Sequence, residues 1–408
     1  MNYQTHTLPN GIRLAHQYHE SMIAHCGFMV NTGSRDESPD EAGMAHFIEH
    51  AVFKGTKKRK AYHIISRLED VGGELNAYTT KEETCIHASF LYSEFDRTME
   101  LISDIMFHST FPEREIEKEK EVIIDEINSY LDTPSEQIFD DFEEMVYGSS
   151  PLARPILGKP ESIRSFKRDD IEKFMAANYN TDEMVVAVVS SLPFTKVIKI
   201  FEKYFGPVPE NPRSKGRISF SPAHYKPEKK TVEHDNNQTH CIIGNIAYDL
   251  RDERRLSLHL LNNILGGPGM NSRLNLSLRE KNGYTYNVEA NYNPYIDSGI
   301  FCVYFGTDKQ HLNKSIALAH REFKKMRETK LGTLQLSKAK KQLLGQLAIG
   351  AENKESLMLS MAKSMLVYNK VEGLDEISQK IEDITAFHLQ EVANEILDPG
   401  ELSKLVFV

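Results

Sequence analysis

Five consecutive residues, His46-Phe47-Ile48-Glu49-His50, carry the most specific chemistry in this 408-residue chain. On a helix, positions i, i+3 and i+4 share one face, so both imidazoles can offer a ring nitrogen to one metal ion while Glu49 reaches a water beside it. Two histidines and an acid in that arrangement suit zinc-assisted hydrolysis, in the reverse of the commoner His-Glu-x-x-His order. A catalytic zinc takes three protein ligands and keeps a further position for water, so the motif calls for one more acid or histidine.

The element expected to supply it is residues 111–130, read as a long amphipathic helix. Pro112 and Glu113 open its first turn, and Ile116, Val122, Ile123 and Ile127 supply the apolar positions. Glu119 and Glu126 lie two turns apart on one stripe, beside the surface that Ile123 and Ile127 bury. An acid on such a seam needs a partner, because an unpaired buried charge is costly.

An internal repeat separates these acids from ordinary solvated ones. Residues 46–50 fall on 259–263, and residues 111–127 fall on 331–347. The apolar pattern survives, with Ile116, Ile123, Ile124 and Ile127 matched by Leu336, Leu343, Leu344 and Leu347, and Cys26 and Cys85 matched by Cys241 and Cys302. Glu49, His50, Glu119 and Glu126 do not survive: Asn262, Asn263, Ala339 and Gln346 stand in their places. The chain therefore reads as two copies of one fold of about 200 residues each, with the chemistry in the first copy. Glu126 becomes the expected third ligand, and Glu119 a neighbouring acid that holds a ligand histidine or tunes the water. Both halves mix strand-like and helical stretches, which makes the fold class α+β. Pro207, Pro209, Pro212, Pro222 and Pro227 mark a linker at 207–228 between an N-terminal domain at 1–206 and a C-terminal domain at 229–408.

Several further segments carry a family resemblance. Thr7-Leu8-Pro9-Asn10-Gly11, Thr32-Gly33-Ser34-Arg35, Gly43-Met44-Ala45 running into the histidine motif, Phe53-Lys54-Gly55-Thr56, the segment from Gly72-Gly73-Glu74 to Tyr78-Thr79, and Glu126-Ile127 are similar to the family of pitrilysin, insulin-degrading enzyme and the mitochondrial processing peptidase. The likeness covers essentially the whole chain, at the length of the family's half-length, processing-peptidase-like members. It implies a zinc metalloendopeptidase with one Zn²⁺ per chain on His46, His50 and Glu126, and Glu49 as general base. It also implies that Asn76 and Ala77, in a strand-like segment, hold the substrate as an added strand, and that Arg279 and Tyr286 contact substrate carbonyls. A guanidinium suits a carbonyl, and a phenol can donate to a developing oxyanion. Pro268 reads as one extra residue within the family's glycine run at 266–269. Glu136 and Asp140 match acids that the processing peptidase uses for a basic residue near the cut.

In half-length members the zinc half of one subunit faces the second half of another. A chain with both the zinc set and the Arg279/Tyr286 pair is thus expected to form a homodimer, the alternative being a heterodimer with a homologous subunit. Some relatives are non-catalytic scaffolds that have lost the metal set, which this chain keeps.

The formal net charge of −10 disfavours nucleic acid and anionic membranes as partners and favours unfolded or short peptides of basic or neutral character. Four cysteines without a Cys-x-x-Cys pair read as reduced core thiols. With no secretory n-region, no apolar run of about 18 residues and no Arg-rich transit peptide, the expected location is cytoplasmic.

Overall fold

The computed structural model describes residues 3–234 and 238–408. Its strands form two sheets. The first contains β1 (Tyr3–Thr7), β2 (Arg13–Tyr18), β3 (Ile23–Val30), β4 (Glu74–Thr79), β5 (Thr84–Leu91) and β6 (Met184–Ser190), in the order β1-β2-β6-β3-β5-β4. The second contains β7 (Lys229–Val232), β8 (Thr239–Ala247), β9 (Val288–Pro294), β10 (Gly299–Thr307) and β11 (Ser403–Phe407), in the order β7-β11-β8-β10-β9. Removing β1 leaves the same topology twice, each sheet with one parallel pair, β2 with β6 and β7 with β11. The register repeats as well: Cys85 pairs with Met29, three residues after Cys26, and Cys302 pairs with Gly244, three residues after Cys241.

The helices of the first half are α1 (Met44–Ala51), α2 (Ala61–Glu69), α3 (Phe95–Phe107), α4 (Glu113–Leu131), α5 (Pro134–Tyr147), α6 (Pro160–Ser165), α7 (Arg168–Asn178) and α8 (Phe194–Phe205). Those of the second are α9 (Arg255–Gly266), α10 (Leu312–Glu328), α11 (Thr333–Glu352), α12 (Lys354–Tyr368), α13 (Leu374–Glu382) and α14 (Ala386–Ile396). Strand β6 explains why helices must cover both faces of its sheet. Every residue of Met-Val-Val-Ala-Val-Val-Ser is buried, and side chains alternate across a strand. Met184, Val186 and Val188 join the core formed with α1, α3 and α8, while Val185, Ala187 and Val189 pack against Met358, Met361 and Met365 of α12. The second sheet does likewise. Cys241, Ile243 and Phe301 face the core of α9, α10 and α14, whereas Ile242, Tyr304 and Phe407 meet Ile138, Phe142 and Val146 of α5.

The compact units therefore differ from the contiguous domains expected at 1–206 and 229–408. The first unit combines the chain up to Asn128 with Arg154–Arg217 and Ile349–Gly373, and the second combines Ser129–Ala153, Ile218–Ala348 and Leu374–Val408. Helices α5 and α12, which follow equivalent helices in the repeat, are exchanged between units. The physical cause is the second apolar face of each sheet, which a helix of suitable pattern can cover whichever half of the chain it comes from. Within 207–228, the early part is fastened to the first unit: Arg213 and Arg217 reach the Asp36 carboxylate at 3.1 and 2.8 Å.

Candidate metal centre

Helix α1 contains the whole histidine motif, and its Met44, Ala45, Phe47, Ile48 and Ala51 are buried in the first unit's core. That burial fixes the face on which His46, Glu49 and His50 emerge. Helix α4 spans nearly the expected residues, starting after Pro112, and buries Ile116, Ile123, Ile124 and Ile127. Val122, expected among the apolar positions, is instead 50 % exposed, because it lies off the stripe that Ile116, Ile123 and Ile127 define.

His46, His50 and Glu126 converge, each offering a ligand atom within 4.8 Å of the others. Glu126 Oε2 stands 3.9 Å from His46 Nε2 and 3.7 Å from His50 Nε2. Ligands about 2.0–2.1 Å from a tetrahedral zinc would be roughly 3.4 Å apart, so small side-chain movements bring these atoms to bonding distance. The donor set, two imidazoles and a carboxylate, fits zinc. The Glu126 side chain is 45 % exposed, which leaves the site open to solvent on that side.

Each neighbouring residue has a definable task. Glu119, almost fully buried, places Oε1 3.3 Å from His50 Nδ1 and Oε2 2.7 Å from Lys54 Nζ. A donor hydrogen on Nδ1 leaves Nε2 with its lone pair directed at the metal position. Thr79, at the end of β4, donates to Glu49 Oε2 at 2.6 Å and orients that carboxylate.

In the metal-free chain, burial and the neighbouring His50 push His46 down to about 4, so it is a neutral imidazole suited to ligation. Burial raises Glu49 against the opposing Thr79 hydrogen bond, in the direction a general base needs. Burial would lower His50, but Glu119 and the other carboxylates raise it further. Burial would raise Glu119, yet His50 and Lys54 hold it below the usual range.

Beside Glu49 and His50 lies a pocket of about 370 Å³ lined also by Phe53, Ile65, Leu75, Asn76 and Ala77. Asn76 and Ala77 belong to β4, whose partner is β5 and whose other edge ends the sheet. The edge strand thus runs beside the candidate base.

The remaining expected residues belong to the second unit. Arg279 lies on a π-helical turn, Asn275–Glu280, with its Nε 3.6 Å from Glu280. Tyr286 is 90 % exposed. Both line a cleft of about 700 Å³, together with His259, Asn262 and Asn263 of α9 and Leu343 and Leu347 of α11. By the repeat, that cleft corresponds to the candidate metal centre of the first unit. Glu136 and Asp140 share α5 near Tyr130, whose hydroxyl donates to the Glu136 carbonyl at 2.9 Å and whose ionisation is suppressed by burial and by Asp140 and Glu136. Sequence reasoning missed Lys54, Thr79 and Glu37, the last of which accepts the Gly43 and Ala45 N–H groups. Lys54 could have been found one helical turn beyond His50, whereas nothing in the spacing points to the other two.

Comparison with known proteins gives concordant results. The family model described as Insulinase (Peptidase family M16) matches residues 13–160, and that described as Peptidase M16 inactive domain matches residues 165–343. The chain is 32 % identical to an Uncharacterized zinc protease YmxG of Bacillus subtilis, over 95 % of this chain and 93 % of that protein. It is 32 % identical to an Uncharacterized zinc protease of Rickettsia bellii, over 99 % and 97 %. A crystal structure titled peptidase M16 inactive domain from Pseudomonas fluorescens superposes with a TM-score of 0.92 at 18 % identity, covering 100 % of this chain and 98 % of that one. A protease from Helicobacter pylori superposes at 0.89 with 21 % identity, covering 100 % and 99 %. At these identities the two structures speak for the fold.

Proposed function

This chain belongs to Peptidase family M16, and on that premise we propose that it is a zinc endopeptidase acting on unfolded or short peptides. The observation that carries the reading is the convergence of His46, His50 and Glu126 beside a half-buried, Thr79-oriented Glu49. When bound, zinc polarises a peptide carbonyl and acidifies a water. With the metal held by His46, His50 and Glu126, Glu49 would take a proton from the attacking water, whose oxygen bonds the carbonyl carbon, and would return it to the amine as the C–N bond breaks, so no covalent intermediate with the protein is needed. Glu119 holds His50 in its ligating tautomer, and Lys54 holds Glu119. The free edge of β4 takes the peptide main chain at Asn76 and Ala77 as an added strand, a mode that reads little side-chain sequence.

The proposal extends to the finer points. Arg279 and Tyr286 act as substrate contacts in a homodimer, a reading supported by the presence of both residue sets in one chain. Glu136 and Asp140 select a basic side chain. Four buried free cysteines suit a reducing, cytoplasmic location. No helix among the described residues is long and apolar enough to cross a membrane.

The test is cleavage of a mixed peptide library read by mass spectrometry, using the purified chain, its Glu49→Gln variant and a chelator-treated sample. Cutting that depends on metal and disappears in Glu49→Gln is the expected result. Bound zinc without cutting would favour a heterodimer that needs a partner chain. Neither zinc nor cutting would leave a peptide-binding or scaffold protein.

A further inference from the structure

The two ligand histidines of α1 are held in different ways. His50 is steered through its own ring, by Glu119 on Nδ1. His46 has a buried Nδ1 with no hydrogen-bond partner, so its direction depends on where the helix backbone places it. His46 sits in the first turn of an eight-residue helix, the part most prone to fray. The N-cap there is Gly43, which has no side chain to accept the free N–H groups.

The acceptor comes from outside the helix. Glu37, 4 % exposed, accepts the Gly43 N–H on Oε2 and the Ala45 N–H on Oε1, each at 2.9 Å. Glu37 is itself fixed, since the Arg154 guanidinium donates to its backbone carbonyl. The residue before the cap is tied down too, with Ser162 Oγ donating to the Ala42 carbonyl at 2.6 Å. A carboxylate near a helix N-terminus also complements the helix dipole.

Resting on the metal-centre reading above, we infer that Glu37 is a positioning residue for zinc binding: it clamps the first turn of α1 and thereby aims His46. Burial pushes Glu37 up to about 8, against the pull of the Gly43 and Ala45 N–H groups and of Arg154. In the ionised form, in which both oxygens accept, the carboxylate matches two donors with two acceptors. An amide in its place would accept one bond and turn its own N–H₂ towards the other donor.

The experiment compares the native chain with Glu37→Gln, Glu37→Asp and Glu41→Gln. The last alters a neighbouring carboxylate that accepts the Ser38 N–H in the same loop. Four quantities are read: the zinc dissociation constant by chelator competition, hydrogen exchange at the Ala45 amide in the zinc-free protein, kcat and KM. Glu37→Gln should weaken zinc binding about tenfold, speed exchange at Ala45, and lower kcat more than it changes KM, while Glu41→Gln matches the native protein. If Glu37→Gln does not fold, Glu37→Asp carries the test. It keeps the charge on an arm too short to span both donors, and the same changes are expected. Zinc affinity within twofold of native in the folded variant, even with lowered thermal stability, would reduce Glu37 to a structural cap and overturn the inference. A native chain that binds no zinc would overturn the metal-centre reading and this inference together, an outcome separable from the first because it appears before any variant is made.

Discussion

Replacing Glu119 by glutamine changes the proposed support of His50 while keeping its shape. The wild-type carboxylate links His50 Nδ1 at 3.3 Å to Lys54 Nζ at 2.7 Å. A hydrogen bond involving a charged group contributes about 1.5–3 kcal/mol, against about 1 kcal/mol for a neutral one. The His50 contact is long, so the middle of that difference applies rather than its upper end. The loss should be about 1 kcal/mol, which weakens zinc binding roughly fivefold. The Lys54 side chain is 30 % exposed and can turn to water, so folding stability should fall by less than about 1 kcal/mol. Competition with a fluorescent chelator gives the affinity, and a urea midpoint on zinc-free protein gives the stability. Lys54→Met should move affinity in the same direction by a smaller factor, because Glu119 remains but loses its anchor. Zinc affinity within twofold of native for Glu119→Gln would refute the claim that this acid sets the His50 tautomer.

Other consequences are equally direct. Gly158→Ala should destabilise the first unit by about 2–4 kcal/mol in urea unfolding, because φ is +75° there and a Cβ would lie 2.4 Å from the Ala42 carbonyl oxygen and 2.6 Å from Gly43 Cα. Burial pushes His16 and His259 down to about 4 from 6.5, so the unfolded chain takes up their protons first as pH falls. Stability should decline as pH drops from 6.5 towards 4, by at most about 3 kcal/mol per histidine; urea midpoints at pH 7.5 and 5 check this, with His16→Gln expected to show a smaller decline. Asn76→Ala should raise KM several-fold with little change in kcat, as for a contact made equally in the bound substrate and the transition state. An unchanged KM would argue against strand pairing at β4.

The local parts of this protein could be read directly from its sequence. Helical spacing alone puts His46, Glu49 and His50 on one face, since that relation needs only the 3.6-residue period. The duplication was equally legible, because both copies place apolar residues at the same positions, although α11 leaves Leu336, Leu343 and Leu344 partly buried and Leu347 exposed where α4 buries its isoleucines. The matched sheets and cysteine registers agree with that pattern. Loss of four polar residues from the second copy pointed to Glu119 and Glu126, which are distant from the motif in sequence and adjacent to it in the structure.

Tertiary structure decided what depends on contacts between distant segments. No local pattern says that α12 covers the first sheet and α5 the second, because an apolar helix face fits either sheet and the choice rests on connection geometry and packing. Nor does composition distinguish Glu37 from the other acids of its loop. Only the folded chain brings its carboxylate to the N–H groups of Gly43 and Ala45 and places Thr79 against Glu49. A hydrogen bond acts over about 3 Å, and which of 59 acidic residues lies within that distance of a given donor is settled by the fold as a whole.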